Sequence, residues 1–233
     1  MSNTPGKLVA AALGLVAGLS TAHSSDAPSR YAEMAAIEEY LMPRDQEIAM
    51  ARSAAPASIS AAAEIWVLER DGYAAAESGG NGFVCLVERS WSASVDDPEF
   101  WNPRLRAPIC FNAAAARYLV PLLKLKTRAV LESHSKKAMA ERVHQALDRR
   151  ELPALPAGAM CFMMSRAGYL GDQNGHWHPH LMFFERHTTP AAWGANSSGS
   201  PLFAFSDPLD AVTTFLVPVP NWSDGTVETA AAH

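Results

Sequence analysis

The chain has 233 residues and a formal net charge of −5, with 19 Lys and Arg against 24 Asp and Glu. A mildly acidic chain lacks the basic footprint that a nucleic-acid partner requires, so no nucleic-acid role is expected. Its length is enough to bury a core without staples, and one domain is expected.

Met1 to Lys7 is a polar start with one positive charge, and Leu8 to Leu19 is an apolar run ending in Ser20-Thr21-Ala22. The run is shorter than the roughly 20 residues that span a bilayer. Its flanks read as a cleaved export signal over 1–22. The expected organisation is then an α+β domain over 23–222 and a flexible tail over 223–233. The expected location is periplasmic or extracellular, with no membrane span after signal removal. Export implies an oxidising compartment, which bears on Cys85, Cys110 and Cys161. Three readings stay open: three buried small hydrophobes, one Cys85–Cys110 bridge with the third thiol left over, or a catalytic thiol.

Tyr31, Met34, Ile37 and Leu41 recur at helical spacing, and Ser29 can cap a helix reaching about Met42. Asp45 to Ser53 reads as a second short helix, with Ile48 and Ala51 inward and Pro56 ending it. Glu64 to Glu69, Tyr73 to Glu77 and Phe83 to Trp91 read as a three-stranded meander with turns at Arg70-Asp71-Gly72 and Ser78 to Gly82. Ser92 to Pro108 is irregular, with Phe100 and Trp101 as buried anchors. Asn112 is a good cap for a helix to about Leu131, which Pro121 should kink, and Ser135 caps another to about Arg150. Ala159 to Ser165, a histidine strand ending at Glu185, Leu202 to Phe205 and Val212 to Val219 form a second strand group. Two strand groups flanking a helical block predict an α+β fold with an antiparallel sheet, similar in element order to PAS and profilin-like layouts.

The sharpest lead is Gly175-His176-Trp177-His178-Pro179-His180, continuing to Glu185. Side chains alternate along an extended chain, so the three imidazoles would point one way. Neutral imidazole is a common ligand for Zn, Cu, Ni and Fe. At roughly 3.3 Å per residue, His176 to His180 span about 13 Å, too far for one ion on a straight strand. The expected ligands are therefore His178 and His180 with Glu185 or a distant residue, and His176 as the first choice for a third imidazole. His178-Pro179-His180 followed by Glu185 resembles the first motif of the cupins, which implies a metal held inside a β-barrel. The sequence departs from that pattern: Gly171 and Gly194 are off spacing, and only His233 remains for a later histidine motif.

Glu88 shares a face with Val84 and Leu86 by parity, while Arg89 shares one with Phe83 and Cys85. A carboxylate on a buried face needs a partner, so Glu88 is the candidate general base, a metal ligand or an orienter of an imidazole if its strand lies beside the histidine strand, and is simply solvated if it lies at the sheet's end. Asp172 is a weaker candidate. No Gly-x-Ser-x-Gly, His-Glu-x-x-His or Cys-x-x-Cys-His motif is present. The expected function is an exported protein with a histidine-centred transition-metal site. The alternatives are a small-molecule binding or sensory module and a structural envelope protein.

Overall fold

A computed structural model describes residues 30–172, 177–186, 188–210 and 212–229. Three short helices, α1 (Ile37–Tyr40), α2 (Arg44–Arg52) and α3 (Ala57–Ser60), precede strands β1 (Glu64–Glu69), β2 (Gly72–Glu77), β3 (Val84–Glu88) and β4 (Ala107–Phe111). The long helices α4 (Ala113–Ser133) and α5 (Lys136–Asp148) follow. Strands β5 (Met160–Met163), β6 (His180–Arg186), β7 (Phe203–Ser206) and β8 (Val212–Pro218) complete the domain. The eight strands form one sheet in the order β2-β1-β3-β4-β5-β6-β8-β7. Every pairing is antiparallel except β1 with β3. The α+β class and the two strand groups around a helical block are as the sequence predicts. The barrel implied by the cupin resemblance is not: this sheet is open, with β2 and β7 at its ends.

Both long helices start where a side chain can take an otherwise unpaired amide. The Asn112 side chain accepts from the Ala115 N–H at 2.9 Å, and Ser135 accepts from the Ala138 N–H at 3.2 Å. Pro121 sits inside α4, which runs unbroken past it. The pleat then divides the core in two. Leu86, Ile109, Phe111 and Phe184 face Tyr118, Leu122, Met139 and Val143 of α4 and α5. Ile65, Cys85, Val87 and Cys110 face Ala51, Ala54 and Ile48 on the other side. Burying each large apolar side chain contributes about 1.5–3 kcal/mol. Cys85 and Cys110 are register partners on neighbouring strands and are bridged, while Cys161 is a buried free thiol. Cys161 packs with the α4 side of the sheet and the bridge with the α2 side, so the pairing follows from strand parity. Such a bridge suits an oxidising environment.

The expected meander is corrected by the topology. β3 does not return beside β2. It crosses the start of β1 and runs parallel to it on the other side. The crossing is tight: the Gly80 N–H donates to the Ala62 carbonyl at 2.9 Å and the Glu64 N–H to the Phe83 carbonyl at 2.8 Å. β1 and β3 then separate after only two paired positions. Buried side chains take over the abandoned backbone groups. The Leu68 N–H donates to Glu47 Oε1 at 3.0 Å, and the Val87 carbonyl accepts from the Tyr73 hydroxyl at 2.6 Å and from the Arg89 guanidinium. Pro108 stands opposite Val87 without an amide to offer, which is consistent with that carbonyl taking side-chain donors. Arg89 itself donates to Glu47 Oε1 at 2.9 Å, and both side chains are sealed from water.

Two further differences concern single segments. The helix expected from Ser29 is helical only over Ile37–Tyr40, because the preceding residues are drawn into tertiary contacts: Arg30 and Tyr31 reach across to Asp172. Over 223–229, within the expected flexible tail, the chain is held by backbone hydrogen bonds. It turns into a hairpin closed by Trp222 N–H to Thr226 O at 2.9 Å and Glu228 N–H to Pro220 O at 2.7 Å. At the other end of the domain, the signal assigned to 1–22 lies outside the described residues.

The end strand β7 exposes Phe203 and Phe205, yet its outer edge is closed locally. Asn196, at φ 59°, donates from its side chain to the Ala204 carbonyl and accepts from the Ala204 N–H, at 2.8 and 2.9 Å. One amide side chain thus occupies both backbone groups of Ala204, at which another strand could add. No helix among the described residues is long and apolar enough to cross a membrane.

Candidate metal-binding segment

The chain just before the histidine stretch, at Gly171 and Asp172, is fastened from behind. Phe100 and Trp101 are buried as anchors, and the segment they anchor holds Glu99 in the interior. Glu99 Oε2 accepts from the Asn102 side-chain amide and from the Asp172 N–H, each at 2.7 Å. Gly171, at φ +136°, lies against that carboxylate: a Cβ there would sit 2.6 Å from Oε2. Asp172 in turn accepts from Arg30 at 2.7 Å, from the Tyr31 hydroxyl at 2.8 Å, and from Arg104 and the Tyr169 hydroxyl. The hydrogen bonds from Tyr169 and Tyr31 hold its carboxyl below the ordinary range. Asp172, a weaker candidate for chemistry, is here a tether.

The expected ligand set separates along the strand. His176 lies outside the described residues. His180 begins β6 and is 6% exposed, on the face that also buries Met182 and Phe184. Its Nδ1 lies 2.9 Å from the His178 carbonyl, so that nitrogen is the donor, and its ring meets Trp177 edge-on at 5.0 Å. Burial pushes its pKa below the ordinary histidine value, which keeps the imidazole neutral. Glu185 falls on the opposite parity of β6, across from Thr213. Among the described residues, no three His, Cys, Asp or Glu side chains stand close enough to share an ion.

His178 is placed differently, just before the strand and at the surface. The pairing of β6 with β8 extends outward through the Val219 N–H to the Pro179 carbonyl at 2.9 Å. The C-terminal hairpin then folds back along Pro220, which brings the Glu228 carboxylate to His178. Nδ1 and Oε1 are 3.7 Å apart, with the imidazole half exposed and the Glu228 side chain only 10% exposed. The hairpin is held by Arg166, which donates to Thr226 Oγ1 at 3.0 Å and lies over the Trp222 ring. Ser223 N–H adds a bond of 2.9 Å to the Met164 carbonyl. Sequence reasoning missed Glu228 because nothing local marks a tail as paired; only Asp224-Gly225, a turn former, hinted at the reversal.

Glu88 does not join this group. Strands β4 and β5 lie between its strand and β6, a separation of roughly 14 Å at about 4.8 Å per strand. It points to the α4 side and is half buried there. Burial pushes its carboxyl up to about 7, partly offset by the nearby Lys126 ammonium. Lys126 is itself buried, donating to Asp207 at 3.1 Å and to the Ser92 carbonyl at 3.4 Å. The folded state therefore holds the Glu88 proton more tightly than the unfolded chain, and stability from this group is lost as pH rises from about 4.5 to about 7. Glu88→Gln is expected to unfold like the wild type at pH 4.5 and to be more stable by about 1–3 kcal/mol above pH 7. Urea melts at the two pH values check this, and equal stability at both would remove Glu88 as the titrating group.

No family model matches the chain, and no curated protein or solved structure matches it.

Proposed function

We propose that this is an exported α+β protein that binds one transition-metal ion where the histidine segment meets the C-terminal hairpin. His178 and Glu228 are the first two donors, and His176 is the third. Zinc heads the series Zn, Cu, Ni and Fe, because imidazole and carboxylate together suit it. The observation that carries the reading is the 3.7 Å between His178 Nδ1 and Glu228 Oε1. A direct hydrogen bond would bring such atoms to about 2.8 Å. Two donors sharing a tetrahedral zinc at about 2.05 Å stand about 3.4 Å apart. The pair is thus spaced closer to chelation than to a hydrogen bond. Export is supported by the signal-like 1–22 stretch and by the Cys85–Cys110 bridge.

The test is a zinc titration of the untagged, metal-stripped protein followed by calorimetry. About one equivalent should bind near neutral pH, with affinity falling as acid protonates the imidazoles. His178→Gln and Glu228→Gln should each weaken it by about tenfold or more. Binding that is unchanged in both variants, or no uptake of zinc, copper, nickel or iron, overturns the proposal.

A further inference from the structure

The large apolar side chains left in water are concentrated at one end of the sheet. Among the described residues they are Trp193, Phe203, Phe205 and Val227. The first three share the β7 end, at 48%, 52% and 55% exposure. Phe203 and Phe205 stand opposite Leu216 and Thr214 of β8, which in turn stand opposite Met182 and Phe184 of β6. Directly paired residues share a face. The two rings therefore continue the buried row on the α4 side of the sheet, past the cover that the helices give it. Trp193 lies on the other face, stacked on Phe215 at 4.4 Å. Aromatic surface exposed at one place marks an interaction site more often than scattered single residues do.

Charge and backbone chemistry select what covers this end. From 188 to 206 the chain has no Asp, Glu, Lys, Arg or His. The flanking Arg186 and Asp207 turn inward: Arg186 lies over the buried Tyr118 ring, and Asp207 accepts from the buried Lys126. The outer edge is also satisfied from within at Leu202 and Ala204. The Leu202 N–H donates to Ser200 Oγ at 3.1 Å, and its carbonyl accepts from the Asn196 N–H at 2.9 Å. The Asn196 side chain takes both groups of Ala204. A strand from a partner protein finds these groups occupied, and a partner laid on one face would leave the aromatics of the other in water. A bilayer takes aromatics on both sides of an entering edge, and it requires backbone groups that are paired within the protein. A net charge of −5 disfavours an anionic surface, while the uncharged stretch matches a surface without net charge. We propose that the β7 edge docks on the zwitterionic surface of a phospholipid bilayer, with Phe203 and Phe205 entering from one face of the sheet and Trp193 from the other. This surface is independent of the proposed metal site.

Flotation with vesicles of pure phosphatidylcholine tests this. Three aromatics should bind reversibly at about 10³ M⁻¹, below the roughly 10⁴ M⁻¹ of one myristoyl chain, so about half of the protein should float at about 1 mM lipid. Phe203→Ser combined with Phe205→Ser should bind at least about tenfold more weakly. Replacing both rings by Trp keeps the aromatic surface and should retain binding, and Val227→Ser, away from this end, should float with the wild type. Urea melts confirm that each variant is folded. Adding anionic phosphatidylglycerol to the vesicles should not tighten binding. The proposal is overturned by no flotation at about 10 mM lipid, by flotation that survives the double Ser change, or by loss of flotation in the double Trp variant. Tighter binding to the anionic vesicles also overturns it. So does a dimer that the Ser changes dissolve while the vesicles stay bare, which would assign the surface to a second copy of the chain.

Discussion

Arg89→Met is expected to destabilise the protein by about 3–5 kcal/mol, the usual consequence of leaving a buried charge without its partner. The Arg89 and Glu47 side chains are 0% and 1% exposed, so water cannot replace the missing guanidinium. The same change also removes the donor from Arg89 Nε to the Tyr40 carbonyl at 2.8 Å and one of those to the Val87 carbonyl. Both carbonyls lie in the interior, and Tyr40 and Tyr73 nearby are already held protonated by burial, Tyr40 up to about 12. The double variant Arg89→Met with Glu47→Leu should be less damaged than the sum of the two single changes, because it leaves no lone charge. Urea unfolding of the four proteins closes the cycle. A loss below about 1 kcal/mol in Arg89→Met would show that the pair is not the electrostatic unit its burial implies.

Gly79→Ala should be nearly as damaging, at about 3 kcal/mol or more, for a steric reason. A Cβ at Gly79 would press on the backbone of the strand it crosses, 2.5 Å from the Ala63 carbonyl carbon and 2.8 Å from Glu64 Cα, as well as against the Glu64 nitrogen. Backbone cannot rotate away as a side-chain tip can. The neighbouring glycine is the control. A Cβ at Gly80 meets nothing within 4 Å, so Gly80→Ala should be neutral or slightly stabilising through the unfolded chain. In a domain of this size each kcal/mol moves the melting temperature by about 2–4 °C. Gly79→Ala is therefore expected to melt at least about 6 °C lower, and Gly80→Ala to melt with the wild type. Equal melting of the two variants would mean that the loop does not cross β1 at this point.

Several features were legible from local chemistry. The helix caps at Asn112 and Ser135, the turn at Gly72, the inward positions Met139 and Val143 and the two strand groups rest on spacing and residue type over short stretches. β4 escaped notice because Pro108 interrupts a five-residue run that leads directly into the Asn112 cap. The histidine segment was conspicuous as composition. Which of its rings turn inward was not, since an alternating pattern carries no information about where the strand begins. Pairing starts at His180, so His178 stays at the rim and His180 joins the core.

The α+β class, the helical block, the odd cysteine and the histidine-rich stretch can be read from residue order, because each depends on periodicity or on counting. The tertiary structure alone decided that β3 crosses to run parallel with β1, that Glu47 and Arg89 fill the gap this leaves, and that Glu228 rather than Glu185 stands by His178. Those outcomes join residues tens to dozens of positions apart. Their energies come from burial and from backbone groups left without partners, and neither quantity exists until distant parts of the chain are packed together.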